Sequence, residues 1–329
     1  MVPTQPDAVI WTLTHAVVAS RCLHVIAALG VADEVGEDAA PAAELASRCG
    51  ADADALERML RLLAAHGVFE CDGPGFRHTP ASRLLCSDHP KSMRALASMM
   101  GLPIFAATFD RLEHSLRTGS PAVEAVEPNG FWAYLQRHPD EARKFDRAMT
   151  AKATSDIAAV LDAYDFGRFG TIADIGGGRG QLLRAILEAA PAARGVLVDR
   201  PQVIEALDVH HDRLTPQAGD FLVGPLPAAD AYVLMDVIHD WPDADCVAIL
   251  RAIRAAAGAG AKVLIVESVL AENGGDPLGQ ALDIVMLVMV GGRERTARRL
   301  SELLTGCGFG EPTVIPTKGR VRIVEAPAV

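Results

Sequence analysis

A chain of 329 residues can hold two domains, or one large α/β domain with an appendage, and can bury a substantial core. Its 31 Lys and Arg against 42 Asp and Glu leave a net charge of −11, which repels phosphate backbones and anionic lipid surfaces and argues against nucleic acid as a partner. The 6 cysteines form no CxxC pair and no Cys/His grouping at zinc spacing, so no metal and no disulfide framework is expected, and a reducing cytoplasm fits best.

In chain order, residues 8 to 29 read as a soluble amphipathic helix, with Ile10, Leu13, Val17, Leu23 and Ile26 at roughly helical spacing and Gly30 ending it. Thr12, Thr14, His15, Arg21 and His24 interrupt the apolar run, and no basic segment precedes it, so neither a leader nor a membrane span is expected. A partner helix would cover the stripe. Two short helices follow, the second capped by Asp52 or Asp54, burying Leu56, Met59, Leu60 and Leu63, and stopped by Gly67 ahead of the extended "VFECDGPGFRHTP". Helix, helix and a Gly/Pro-turned hairpin outline a winged helix-turn-helix. Between Ala51 and His66, Asp52, Asp54 and Glu57 outnumber Arg58 and Arg61, whereas a helix that reads a DNA groove presents net positive charge. Dimerisation is therefore the expected role of this module.

Residues 91 to 165 look helical and carry Met99, Met100, Phe105, Phe109, Phe131, Trp132, Phe145 and Met149. From Thr171 short apolar strands ("TIADIG", "ARGVLVD", "AYVLMDVI", "AKVLIVES") alternate with helices, the pattern of an α/β, Rossmann-like doubly wound parallel sheet. The expected organisation is a winged-helix dimerisation domain over 1–95, a helical linker contributing to a substrate pocket over 96–165, and a catalytic domain over 166–329.

The stretch "IADIGGGRGQLL" sets glycines between a strand and a helix. A dinucleotide site needs G-x-G-x-x-G, and the third glycine fails, since Gln181 stands where it should be. The run fits D-x-G-x-G-x-G instead, read as Asp174, Gly176, Gly178 and Gly180. Pyrophosphate favours bare backbone N–H groups at a helix N-terminus, whereas an aminoacyl sulfonium ligand, carrying an ammonium and a positive sulfur, favours a nearby carboxylate. Asp174 thus points to S-adenosylmethionine. Asp199 closes the next strand, where a carboxylate can accept from both ribose hydroxyls, although an exposed loop aspartate would look the same. Asp220 and Phe221 in "AGDFLVGPLP" offer an acceptor for an adenine amino group beside a ring that can stack on the purine. Their order at successive strand ends matters, because ligands of open α/β sheets sit outside the carboxyl edge.

In "MDVIHDWPDADC" the apolar run from Tyr232 to Ile238 ends at His239, which therefore emerges at the same edge. A lone loop histidine more often caps a helix or bonds to backbone; beside a methyl donor it is a candidate general base for a phenol, worth roughly 10²- to 10⁴-fold. Positioning the reactants contributes up to roughly 7 to 11 kcal/mol. A catalytic imidazole also needs an orienting carboxylate on its other nitrogen, and two stand available. Glu267 ends the next strand in "LIVESVL", and Glu294 follows a turn in "GGRERT"; either is equally a candidate for a surface ion pair, Glu294 with Arg293 or Arg295. Trp241 is expected over the adenine or the pocket mouth, or as a core anchor. No carboxylate/His set suited to a metal appears.

These blocks, "SRCLHVIAALGVAD", "DALERMLRLLAAHGVF", "DIGGGRGQLLRAIL", "HDWPDADCVAILR" and "GGRERT", resemble in order those of the S-adenosylmethionine-dependent O-methyltransferases that include plant caffeate and flavonoid enzymes and bacterial polyketide-tailoring enzymes. The resemblance runs along nearly the whole chain. It implies a winged-helix dimerisation domain feeding a Rossmann-like domain, a homodimer whose partner helps close the pocket, and a hydroxylated aromatic or polyketide-type acceptor. It implies His239 as base flanked by Glu267 and Glu294, the cofactor on Gly176, Asp199, Asp220 and Phe221, and the acceptor under the stretch around Phe145 and Met149; the residue reading adds Asp174, Gly178 and Trp241 to the cofactor site and Asp240 and Met286 to the acceptor site. One departure is Met235, where plant members carry a lysine. Two alternatives stay open: N-methylation, hydroxylation or decarboxylation on the same scaffold, and a winged-helix regulator that senses a ligand.

Overall fold

The computed structural model describes residues 5–207 and 211–329 and divides the chain into two compact units. One comprises the residues up to Ala106 with Leu135–Lys152, the other Ala107–Tyr134 with Ala153–Val329. The helix Pro139–Ala163 runs through the dividing point, so the helical stretch 96–165 is shared out between the two.

In the first unit, the leading helix spans Pro6–Leu29, with Pro6 in the first turn, where a missing N–H costs nothing, and Gly30 (φ 73°) reversing the chain after it. Ile26 is buried and Leu23 packs against its cluster, but Ile10, Trp11, Leu13 and Val17 are between 60% and 68% exposed. Length and hydropathy alone would also allow this helix to cross a membrane. The helices Ala42–Cys49 and Ala53–Ala65 follow, and Asp52 is the cap that the second one uses, accepting from Ala55 N at 2.9 Å. Strands β1 (Ala40–Pro41), β2 (Phe69–Asp72) and β3 (Gly75–His78) pair in the order β1-β3-β2. Leu56, Leu60 and Leu63 bury their side chains with Phe69 and Phe76 beneath this small sheet, completing the winged-helix outline.

The second unit is a seven-stranded sheet with helices on its faces. Its strands are β4 (Thr171–Ile175), β5 (Arg194–Asp199), β6 (Leu214–Ala218), β7 (Ala231–Met235) and β8 (Lys262–Glu267), followed beyond the short pair β9 (Val269–Leu270) and β10 (Arg295–Thr296) by β11 (Thr313–Pro316) and β12 (Arg322–Pro327). The order is β11-β12-β8-β7-β4-β5-β6; β4 to β8 run parallel, and β12 and β11 close the sheet antiparallel. Strand β7 and the interior of β8 (Val263 to Val266) read as unbroken apolar runs because both of their faces are covered, and β4 breaks the pattern only at its start and at Asp174. Ile172, Leu183, Ile186 and Leu187 pack on one face, and Leu234, Ile249, Leu250 and Ile265 on the other, each fully buried side chain contributing about 1.5–3 kcal/mol. The sequence "LTPQA" gave no strand signal, yet β6 pairs along all of it at the sheet edge, where Pro216 is tolerated.

Candidate active site

Parallel strands deliver their last residues to one edge, and there β4, β5, β7 and β8 place Asp174, Asp199, Met235 and Glu267. After β4 the backbone turns through Gly176 (φ 69°), Gly178 (φ 56°) and Gly180 (φ 70°) into the helix Gln181–Ala189. At Gly177 the restriction is space: a Cβ would lie 2.4 Å from the Asp174 Oδ2 and 2.5 Å from Leu197. Asp174 lies beneath this loop, 1% exposed, and its Oδ2 has no hydrogen-bond partner among the described residues. Burial, with the charge of Asp199 added, pushes its carboxyl up to about 7. Asp199 is a buried brace and not an exposed loop residue: Gly178 N donates to its Oδ2 at 2.8 Å and Arg200 N to its Oδ1 at 2.7 Å. Each of those oxygens keeps a further lone pair for a diol.

Beyond β6, Asp220 is exposed and accepts from Leu222 N at 2.9 Å, which sets the turn that presents Phe221. Phe221 meets Trp241 edge to face at 5.9 Å, and a Cβ on Gly176 would stand 3.4 Å from the Phe221 ring. The glycine loop, Phe221 and Trp241 therefore share one wall. Trp132, read from sequence only as a bulky helical residue, lies 5.8 Å from the Arg200 guanidinium, next to Asp199 at the end of β5.

His239 sits in a 3₁₀ turn, Ile238–Asp240, and is 5% exposed. The choice between the two carboxylates is resolved by geometry. Glu294 Oε1 lies 2.9 Å from Nδ1, whereas Glu267 Oε1 accepts the backbone N–H groups of Val237 (3.2 Å) and His239 (3.0 Å) and so holds the turn, not the ring. Glu294 is 4% exposed, so the surface ion pair is ruled out; Arg293 and Arg295 reach Asp243 instead. Nε2 has Asp240 Oδ1 at 3.6 Å. Burial by itself lowers the imidazole pKa, but the Glu294 hydrogen bond and the charges of Asp240, Glu267 and Asp236 outweigh it and push it up to about 9. Burial likewise pushes Glu267 up to about 7, with Glu294 and Asp236 adding to the rise and His239 opposing it.

Three residues that support this turn and its carboxylate were given no such role from sequence, where Arg295 stood only as a possible surface partner of Glu294. Arg295, 2% exposed, donates through Nη1 to Ile238 O (2.9 Å), through Nη2 to Trp241 O (2.7 Å) and through Nε to Asp243 Oδ1 (2.9 Å), thereby stapling both ends of the histidine turn. Gly292 lies against the turn so closely that a Cβ would be 2.0 Å from His239 O; the doublet in "GGRERT" was its one sequence signal. Asp283, on the helix Pro277–Met289, accepts from Glu294 N at 2.9 Å, and Met286 is one turn further along that helix. Phe145 and Met149 are half-buried on the part of the helix Pro139–Ala163 that belongs to the other unit. Among the described residues, no three His, Cys, Asp or Glu side chains are grouped to hold a metal ion.

Residues 109–310 match the model of the O-methyltransferase domain, and residues 11–88 that of the O-methyltransferase dimerisation domain. The phenazine O-methyltransferase of Lysobacter antibioticus is 41% identical, over 93% of this chain and 92% of its own. The 8-amino-8-demethylriboflavin N,N-dimethyltransferase of Streptomyces davaonensis is 38% identical, over 87% of this chain and 85% of its own. CalO1, a methyltransferase in calicheamicin biosynthesis solved with S-adenosylhomocysteine bound, superposes with a TM-score of 0.90 at 31% identity, with 100% of each chain covered.

Proposed function

The chain belongs to the O-methyltransferase family, and on that premise we propose that it transfers the methyl group of S-adenosylmethionine to a hydroxyl of a small aromatic or polyketide-type natural product, with His239 as general base. The observation that carries the reading is the buried imidazole fixed at Nδ1 by Glu294, which leaves Nε2 as the acceptor at the ligand-bearing edge. Nδ1 keeps its proton against Glu294, so Nε2 takes the hydroxyl proton, and the resulting imidazolium is stabilised by the carboxylates around it. S-adenosylmethionine, when bound, supplies an electrophilic methyl on a sulfonium whose positive charge opposes an imidazolium at the same edge, favouring the neutral ring that acts as a base.

The residues present fit that cofactor. Gly178 has open space where a Cβ would stand, the buried Asp174 Oδ2 is unpartnered among the described residues, Asp199 keeps lone pairs for a diol, and Phe221 with Trp241 forms an apolar wall for a purine. Asp220 fits an exocyclic amino group. Asp240, near Nε2, and Met286, on the helix that carries Asp283, would meet the acceptor. Phe145 and Met149 belong to the helical stretch 96–165, to which a share of the acceptor site was assigned from sequence. We divide the chain into a winged-helix domain over 1–95, a helical linker over 96–165 and a catalytic domain over 166–329.

The dimerisation domain indicates self-association, and the finer proposal is a homodimer in which Ile10, Trp11, Leu13 and Val17 close against a second copy. The reading is of a cytoplasmic enzyme without nucleic-acid or membrane partners. Methylation of a nitrogen is a second reading, favoured by the relative named as an N,N-dimethyltransferase. The deciding experiment incubates the enzyme with labelled cofactor and a panel of phenols and matching aryl amines. His239→Ala should keep S-adenosylhomocysteine affinity and lower turnover on the phenol at least tenfold. Unchanged turnover removes His239 as the base.

A further inference from the structure

The β11–β12 hairpin delivers a guanidinium to the catalytic edge. Arg322 pairs with Glu267, the last residue of β8, so Arg320, two residues before it, projects beyond the carboxyl ends of the parallel strands. The loop is held in place: Gly319 N donates to Thr317 Oγ1 at 3.0 Å, Thr317 Oγ1 donates to Val321 O at 2.6 Å, and a Cβ on Gly319 would lie 3.0 Å from Ala159. Arg320 Nη2 donates to Asp156 Oδ2 at 2.9 Å and, at 3.5 Å, faces Oδ1 of Asp236, three residues ahead of His239. Nη1 is closed off from solvent and has no hydrogen-bond partner among the described residues. The side chain as a whole keeps 22% of its surface.

A buried polar atom without a partner is uncommon and asks for an explanation. A guanidinium cannot escape the penalty by losing its proton, and its planar fork matches the paired oxygens of a carboxylate. The surrounding side chains Asp156, Asp236 and Glu294 are acidic, and the neighbouring Arg295 is spent on Ile238, Trp241 and Asp243. An anionic group entering this edge would therefore find unused donors at Arg320. The long contact to Asp236 is the weaker of its two anchors and the one that a stronger acceptor would displace.

We propose that Arg320 is a carboxylate-docking residue of the active site, its Nη1 hydrogens taking the carboxylate of a ligand. The proposal rests on the methyltransferase reading, and that reading offers two sources of the same chemistry: the aminoacyl carboxylate of S-adenosylmethionine, and a carboxylate on the aromatic acceptor. Arg320 reaches Asp236, the residue after Met235 at the end of β7, from a different strand pair.

The test is calorimetric binding to wild type, Arg320→Gln and Arg320→Lys, with thermal midpoints as the fold control. The first arm compares S-adenosylhomocysteine with its decarboxylated analogue. The second, run on the S-adenosylhomocysteine complex, compares 2-hydroxy-1-naphthoate with 2-naphthol. R320Q should lose roughly tenfold to hundredfold in affinity for the acid of one pair and hold its affinity for the matching ligand without the carboxylate, and the pair that responds identifies the source. R320K, which keeps the charge without the fork, should recover part of the loss; should R320Q not fold, R320K against wild type gives the same comparison. Equal weakening of acid and non-acid ligands, or no change in either pair, overturns the assignment while leaving the methyltransferase reading intact. A wild type that binds no S-adenosylhomocysteine overturns both.

Discussion

Glu294→Gln separates the charge of the orienting group from its shape, because glutamine can keep the 2.9 Å contact to His239 Nδ1. The imidazole titrates near 9 in the folded chain against 6.5 for the free side chain, and that gap (9 − 6.5 = 2.5) is equivalent to about 3 kcal/mol. The folded value is the higher one, so this stabilisation is fully present below 6.5 and is lost as the pH rises through about 9. Glu294 is the largest of the contributions that raise it, so the variant should lose most of the gap. Urea unfolding should therefore find E294Q less stable than wild type by about 2 kcal/mol near pH 6, with the difference closing toward pH 9.5. Glu267 and Asp174, whose carboxyls are raised by burial, make stability fall as the pH climbs to about 7, but they do so in both proteins and drop out of the comparison to first order. In the same variant the acidic limb of the kcat/KM profile should move to lower pH. A stability difference constant across the range, together with an unmoved limb, would refute the claim that Glu294 sets the proton affinity of the ring.

Gly292→Ala must push back the histidine turn, since the new methyl would lie 2.0 Å from His239 O and 2.6 Å from the Asp240 carbonyl carbon; turnover should fall at least tenfold while S-adenosylhomocysteine affinity measured by calorimetry stays within a factor of about two. Arg295→Met takes the buried guanidinium from Asp243 and leaves the Ile238 and Trp241 carbonyls only weaker donors such as Cys246 Sγ, so urea unfolding should show a loss of about 3 kcal/mol, and a loss under about 1 kcal/mol would mean that the turn is held without Arg295.

The strands β4, β5, β7 and β8 were legible in the sequence because a parallel strand covered on both faces is apolar over most of its length, with the carboxylates only at its carboxyl end, and β6 was not, because an edge strand escapes that requirement. The same local rules marked Gly176, Gly178 and Gly180, whose positive φ values only glycine adopts freely, and Asp52, whose cap is made three residues away. Spacing also carried His239 to the right edge, since a strand fixes where its last residue emerges. The sequence left open which carboxylate orients that ring, because Glu294 lies 55 residues away and reaches it through the fold of the Gly291–Gly292 turn and the grip of Asp283. It offered Arg295 only as a surface partner for Glu294 and was silent on Arg320, because an arginine is read as a surface residue until the chain path encloses it. Residue type and local period determined the elements and the edge that gathers the candidate site; the pairing of charges across that edge was decided by tertiary structure, because burial and distance set the strength of an ion pair and neither is a property of spacing along the chain.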